Sequence, residues 1–176
     1  MNIVITILLV IASIIVLLLL AGLFMRKKHY VKRDIVINVP RQTVFDYIKL
    51  LKNQDTFNKH AMVDPARQKD FKGTDGTVGY IYSWSGDKSA GEGEKEIIDI
   101  VDGKKIEMEI RFVKPMKVSA RIVMETESLS DSQTKVYWTN AGSLHYPINI
   151  MIPVMERSVA KGMDSSLATL KRNLEK

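Results

Sequence analysis

The side chains able to pass a proton or ligate a metal are few and scattered in this sequence. Its 176 residues contain no cysteine and three histidines, at positions 29, 60 and 145. Without cysteine a thiol nucleophile, a thiolate zinc site, an iron–sulfur cluster and a disulfide framework are all excluded. Any chemistry must run on oxygen and nitrogen. His145, in Leu144-His-Tyr-Pro147, lies in a loop just ahead of a long helical pattern; an imidazole there titrates near neutral pH and can shuttle a proton. No catalytic residue is assigned on this basis, since an isolated loop histidine is more often solvated or capping, and His145 stands as the candidate to test. His60 follows Lys59 in a polar stretch, and His29 sits in the basic run behind the apolar N-terminus. Tyr80, Tyr82 and Asn140 are the polar groups at otherwise apolar strand positions. Glu92, Glu94 and Glu96 alternate, as do Glu107 and Glu109. Both sets fall opposite or beside the apolar parity and among lysines, which reads as a solvated strand face and not as a carboxylate pair. Gly91-Glu-Gly93 lacks the lysine and the strand–helix context of a phosphate cradle. No Ser/His/Asp order, HExxH spacing or EF-hand pattern is present. Neither a metal site nor a cofactor is expected.

Charge distribution narrows the partners. The chain carries 26 Lys and Arg against 20 Asp and Glu. Residues 1–25 carry no charge, and Arg26, Lys27, Lys28, Lys32 and Arg33 follow at once. Removing those five leaves 21 basic against 20 acidic side chains from Asp34 onward. The excess is therefore a local cluster, whereas a nucleic-acid surface needs basic groups spread over a folded face. Nucleic-acid binding is not expected.

Ile3 to Met25 is a run of 23 residues interrupted only by the hydroxyls of Thr6 and Ser13. As a helix it extends about 34 Å, enough for a hydrocarbon core of roughly 30 Å. A cleaved leader would need a basic start and a shorter apolar stretch, and Met1-Asn2 supplies no cation. Residues 1–25 are expected to be an uncleaved membrane helix and residues 26–33 a basic juxtamembrane linker. Because cations follow the span and none precede it, the N-terminus is expected outside and the domain, residues 34–176, in the cytoplasm.

The remainder alternates between two periods. Arg33 to Val39 alternates as a strand and ends at Pro40. Val44, Phe45 and Ile48 have helical spacing, and Leu50-Leu51 opens a second short helix. Seven of the ten glycines lie between positions 73 and 103, marking hairpins, with Asp75-Gly76 and Asp102-Gly103 as tight-turn pairs. One-sided apolar sets follow: Val78, Tyr80, Tyr82 and Trp84; Ile98 and Ile100; Ile106, Met108, Ile110 and Phe112; Val118, Ala120, Ile122 and Met124; Val136 and Trp138. From Asn149 the period becomes helical, with Ile152, Met155, Val159, Met163, Ser166, Leu167, Leu170 and Leu174 on one stripe. An antiparallel sheet with one solvated face must wrap this helix, for no other element can cover its apolar side.

The order of Val44-Phe-Asp-Tyr-Ile, Gly73-Thr-Asp-Gly-Thr-Val-Gly, Trp84-Ser-Gly-Asp, Gly91-Glu-Gly, Phe112-Val-Lys-Pro115, Thr134-Lys-Val-Tyr-Trp138, Pro147-Ile-Asn149 and Leu167-Ala-Thr-Leu-Lys171 resembles the SRPBCC superfamily. More narrowly, it is similar to the polyketide cyclase/dehydrase-like branch that carries an N-terminal membrane anchor. The resemblance spans about residues 31–176. It implies an α+β helix-grip: a seven-stranded antiparallel sheet around the C-terminal helix, two short helices at one end, and a hydrophobic cavity between sheet and long helix. The mouth of that cavity would lie near His145. The strand parity then puts Tyr80, Tyr82, Trp84, Met108, Ile110, Phe112, Ile122, Met124 and Trp138 on the cavity side, with Met155, Val159 and Met163 from the helix. Methionines among them would give a deformable wall for an apolar molecule or lipid. The poverty of acid–base groups favours a binding module. The alternatives are a cyclase/dehydrase-type enzyme acting on an apolar substrate, and a protein-interaction module like the chaperone-activating relatives.

Overall fold

The structure, a computed structural model, describes residues 2–62, 64, 66–87 and 91–176. Helix α1 (Ile3–Phe24) contains no charged residue, and the Ser13 hydroxyl donates back to the Leu9 carbonyl at 2.8 Å. It is long and apolar enough to cross a membrane. Strand β1 (Lys28–Ile37) follows after Met25, Arg26 and Lys27. It pairs with the last strand from Lys28, opposite Ser143, to Ile37, opposite Thr134. Residues 28–33, expected as linker, therefore lie in the sheet, with His29 and Val31 buried. The alternation extends backward from Ile35 and Ile37, but a histidine and an arginine at inward positions conceal it.

Helices α2 (Arg41–Ile48) and α3 (Leu51–Gln54) come next, as the spacing predicts. Strand β2 (Gln68–Lys72) is exposed along its whole length and has one large apolar residue, Phe71, so it leaves no periodic signal. Strands β3 (Ile81–Ser85), β4 (Glu92–Val101), β5 (Lys105–Lys114), β6 (Val118–Ser130) and β7 (Gln133–Ser143) form a meander. The antiparallel order is β1-β7-β6-β5-β4-β3-β2. One 3-10 turn (Ile148–Met151) leads into α4 (Ile152–Leu174). Pro153 falls in its first turn, where a missing N–H costs no intrahelical bond. The buried stripe of Ile152, Ala160, Met163, Leu167 and Leu170 faces the sheet, while α2 packs over β6 and β7.

Two sequence expectations shift. Val78 is 60% exposed because it lies in the loop before β3, between two glycines with positive φ. A β-bulge between Ile97 and Asp99 changes the parity of β4, so Ile97, not Ile98, is fully buried. Asp75-Gly76 forms the expected tight turn, the Thr77 N–H donating to the Thr74 carbonyl at 3.3 Å with Gly76 at φ +79°, in the loop between β2 and β3; the Asp75 carboxylate also accepts from the Leu51 and Lys52 backbone N–H groups at 2.8 and 3.1 Å, capping α3. Asp102-Gly103 does turn β4 into β5, with Gly103 at φ +64°.

Helix α1 is held by the domain at its C-terminal end. Asn149 is fully buried, and its Nδ2 donates to the carbonyls of Gly22 at 2.7 Å and Met25 at 3.1 Å. Helix ends leave such carbonyls without intrahelical partners. The Arg26 guanidinium pairs with Glu156 on α4. Asn149→Ala is expected to weaken this docking by about 1–3 kcal/mol through the two unmet acceptors. In the full chain with spin labels at Leu23→Cys and Ser165→Cys, the distance distribution should broaden. An unchanged distribution would mean that Asn149 does not hold the helix.

Candidate functional site

Two adjoining pockets occupy the concave side of the sheet. The first, of about 190 Å3, lies under α4. Its walls are Ile110 and Phe112 from β5, Val118, Ala120 and Ile122 from β6, Trp138 from β7, Leu144, and Met155, Val159 and Met163 from α4. The second, of about 150 Å3, lies toward α3 and is lined by Leu51, Gln54, Asp55, Arg67, Tyr82 and Trp84 among others. Both share Asn58, His60, Lys95, Ile110 and Phe112.

The expected ligand set divides accordingly. Ile110, Phe112, Ile122, Trp138, Met155, Val159 and Met163 line the first pocket, and Tyr82 and Trp84 the second. Tyr80, Met108 and Met124 line neither. They are at most 1% exposed within the closed core, at the end of the sheet that α2 and α3 roof. His145 is exposed and lines neither pocket; its carbonyl accepts from the Asn149 N–H at 3.1 Å.

Two other histidines are at the site. His29, at an inward position of β1, lies against Gly142: a Cβ there would come within 2.6 Å of its ring. One ring nitrogen, Nε2, is 2.9 Å from Asn140 Oδ1. The other has no partner among the described residues. His60 keeps an exposed edge but packs on Gly162 of α4, where a Cβ would come within 2.6 Å of Nε2. Desolvation lowers its pKa, and Lys59 and Lys95 nearby act in the same direction.

The group at the junction of the pockets is Lys95. In Glu92-Gly-Glu-Lys-Glu-Ile97 the period of two puts the glutamates outward and Gly93, Lys95 and Ile97 inward. The outward side behaves as expected: Glu94, Glu96 and Glu109 all pair with Arg111. Inward, Lys95 is 8% exposed, and its Nζ donates to Gln54 Oε1 at 2.8 Å. No carboxylate pairs with it among the described residues. Asp55, the acid whose charge acts on Lys95, is shared by other donors: Arg67 at 3.0 Å, Lys69 at 2.7 Å and the Tyr82 hydroxyl at 2.9 Å. Burial lowers the Lys95 pKa to about 8, with Asp55 opposing the shift and Arg67 adding to it. Gly93 matters for packing, because a Cβ would approach the Trp84 ring to 2.8 Å and the Arg111 carbonyl to 2.6 Å. Glycine lets that ring lie on β4. The sequence conceals Lys95, because the glutamates around it suggest a wholly solvated strand.

A curved seven-stranded antiparallel sheet gripping a long C-terminal helix, with short helices at one end, defines the helix-grip α+β fold. Solved structures of SRPBCC-like helix-grip proteins share it. Protein CV1439 from Chromobacterium violaceum superposes with a TM-score of 0.60 at 14% identity, over 84% of this chain and 98% of that one. The Aha1 dimer from Colwellia psychrerythraea gives 0.57 at 15% identity, over 83% and 96%. DynU16, encoded in the dynemicin biosynthetic locus, gives 0.59 at 11% identity, over 83% of this chain and 47% of its own. No family model and no curated protein matches the sequence.

Proposed function

We propose that this chain is a membrane-tethered domain of the anchored cyclase-like branch that holds a hydrophobic small molecule between its sheet and α4. The observation that carries the reading is the first pocket, whose walls are mostly aliphatic, aromatic and methionine side chains from three strands and the long helix. Pockets of this kind select apolar ligands by shape, with a few polar groups fixing orientation. Met155 and Met163 let one wall adapt. The tether is α1, and the cations that follow it support a cytoplasmic location for the domain. The scarcity of acidic groups along the pocket wall, which holds no Asp or Glu among its described lining residues, favours binding over turnover, and His145 is exposed and lines neither pocket.

Val159 reaches the pocket from α4 and is only partly buried, so Val159→Trp should fill the space with little strain on the fold. The full chain is purified in detergent, extracted under denaturing conditions and analysed by mass spectrometry. An apolar molecule near one-to-one in the wild type should fall at least tenfold in Val159→Trp. Equal amounts in both, with both folded, would remove the pocket as the binding site.

A further inference from the structure

A cation enclosed beside an apolar pocket with no counter-charge is an incomplete arrangement. Lys95 has three N–H donors, and Gln54 Oε1 is the one acceptor it meets among the described residues. Burying an unpaired charge is costly unless a partner completes it. Four titratable or charged groups surround it: Asp55 from the end of α3, Arg67, the Tyr82 hydroxyl on β3, and His60. Asp55 is engaged by Arg67, Lys69 and Tyr82, Arg67 and Lys95 repel, and neither Tyr82 nor neutral His60 brings a negative charge. The pocket floor is thus positive, while the walls above it are apolar.

Resting on the pocket reading above, we infer that the ligand is an amphipathic monocarboxylic acid, its carboxylate bound by Lys95 at the junction of the two pockets and its apolar body under α4. A single buried ammonium matches a single negative charge. Each pocket falls below the roughly 300 Å3 at which drug-sized sites begin, which fits one slender molecule better than a two-chain lipid. Asn58, which lines both pockets and is 8% exposed, is placed to bond the second carboxylate oxygen.

The test uses the full chain in nanodiscs of uncharged phosphatidylcholine, with decanoic acid and decanol as probes and tryptophan fluorescence as the signal. Both tryptophans, Trp84 and Trp138, line the pockets. At pH 7 decanoic acid should bind at least tenfold more tightly than decanol. Lys95→Met should abolish that preference and leave decanol affinity within about threefold. Lys95→Gln, which keeps a donor for Gln54, should behave like Lys95→Met. Raising the pH from 8 to 10 should weaken decanoate binding to the wild type and leave decanol unchanged. Equal affinity for acid and alcohol in the wild type would overturn the head-group assignment and leave the pocket standing. A saturable signal from neither probe, together with an unchanged mass-spectrometric ligand in Val159→Trp, would overturn the pocket as well.

Discussion

Asp55→Ala should be among the most destabilising single substitutions in the domain, at about 3–5 kcal/mol. Asp55 ends α3 through its backbone N–H, and its carboxylate is the common acceptor for Arg67, Lys69 and the Tyr82 hydroxyl. The Arg67 side chain is 5% exposed, and its guanidinium also packs against the rings of Tyr82 and Trp84, 5.5 and 5.6 Å from their centroids. Removing Asp55 would leave Arg67 and Lys95 as two enclosed positive charges with no anion between them. The cost is chiefly that stranded charge, more than the lost value of the ion pair itself. At about 2–4 °C per kcal/mol for a chain of this size, the unfolding midpoint should fall on the order of 10 °C. Thermal unfolding of the full chain, followed by tryptophan fluorescence, measures it. A fall of less than about 2 °C, under 1 kcal/mol on the same scale, would mean that water already screens Arg67 and Lys95.

The second large effect is a rise of stability with pH. Lys95 has a pKa of about 8 in the folded domain, against about 10.4 for an unfolded lysine. Between those values the unfolded chain binds more protons, so stability climbs as pH rises. The burden of the buried ammonium is fully present below pH 8. It is relieved progressively toward pH 10, by about 2 kcal/mol over that window. Above pH 10 the tyrosines pull the other way: burial raises the pKa of Tyr80 and Tyr82 in the fold, so the unfolded chain loses those protons first. The rise should therefore crest near pH 10. Lys95→Met should show no rise between pH 8 and 10 in the same denaturation series. A rise that survives the substitution would assign the linkage to another group. The lysine is thus a stability cost in the empty domain, as expected of a residue kept for a ligand.

Much of the fold was legible along the chain because a period of two and a period of 3.6 are local properties of sequence. Helix α2, strands β5 to β7 and the stripe of α4 carry one of these periods, while α1 was legible as an unbroken apolar run. Strand β2 was not legible, since an edge strand exposed on both faces needs no apolar alternation. The start of β1 was hidden behind cations, and the β4 bulge turned a correct period into the wrong buried residue, with Ile98 expected where Ile97 is buried.

The site was only half readable, and the division has a physical cause. On β3 and on β5 to β7 sequence by itself determined which residues face inward, and hence most of the apolar walls, because side-chain alternation follows from the backbone pleat. It could not determine which inward residues border a pocket and which are sealed: Met108 and Met124 share the parity of Ile110 and Ile122, yet α2 and α3 cover only their end of the sheet. Nor could it single out Lys95 or His29. A polar residue on an inward face is a flaw or a function depending on what stands opposite, and Gln54, Asn58, Asn140 and Gly142 are brought there from distant parts of the chain. That juxtaposition is a property of the closed sheet and the gripped helix, and tertiary structure alone decides it.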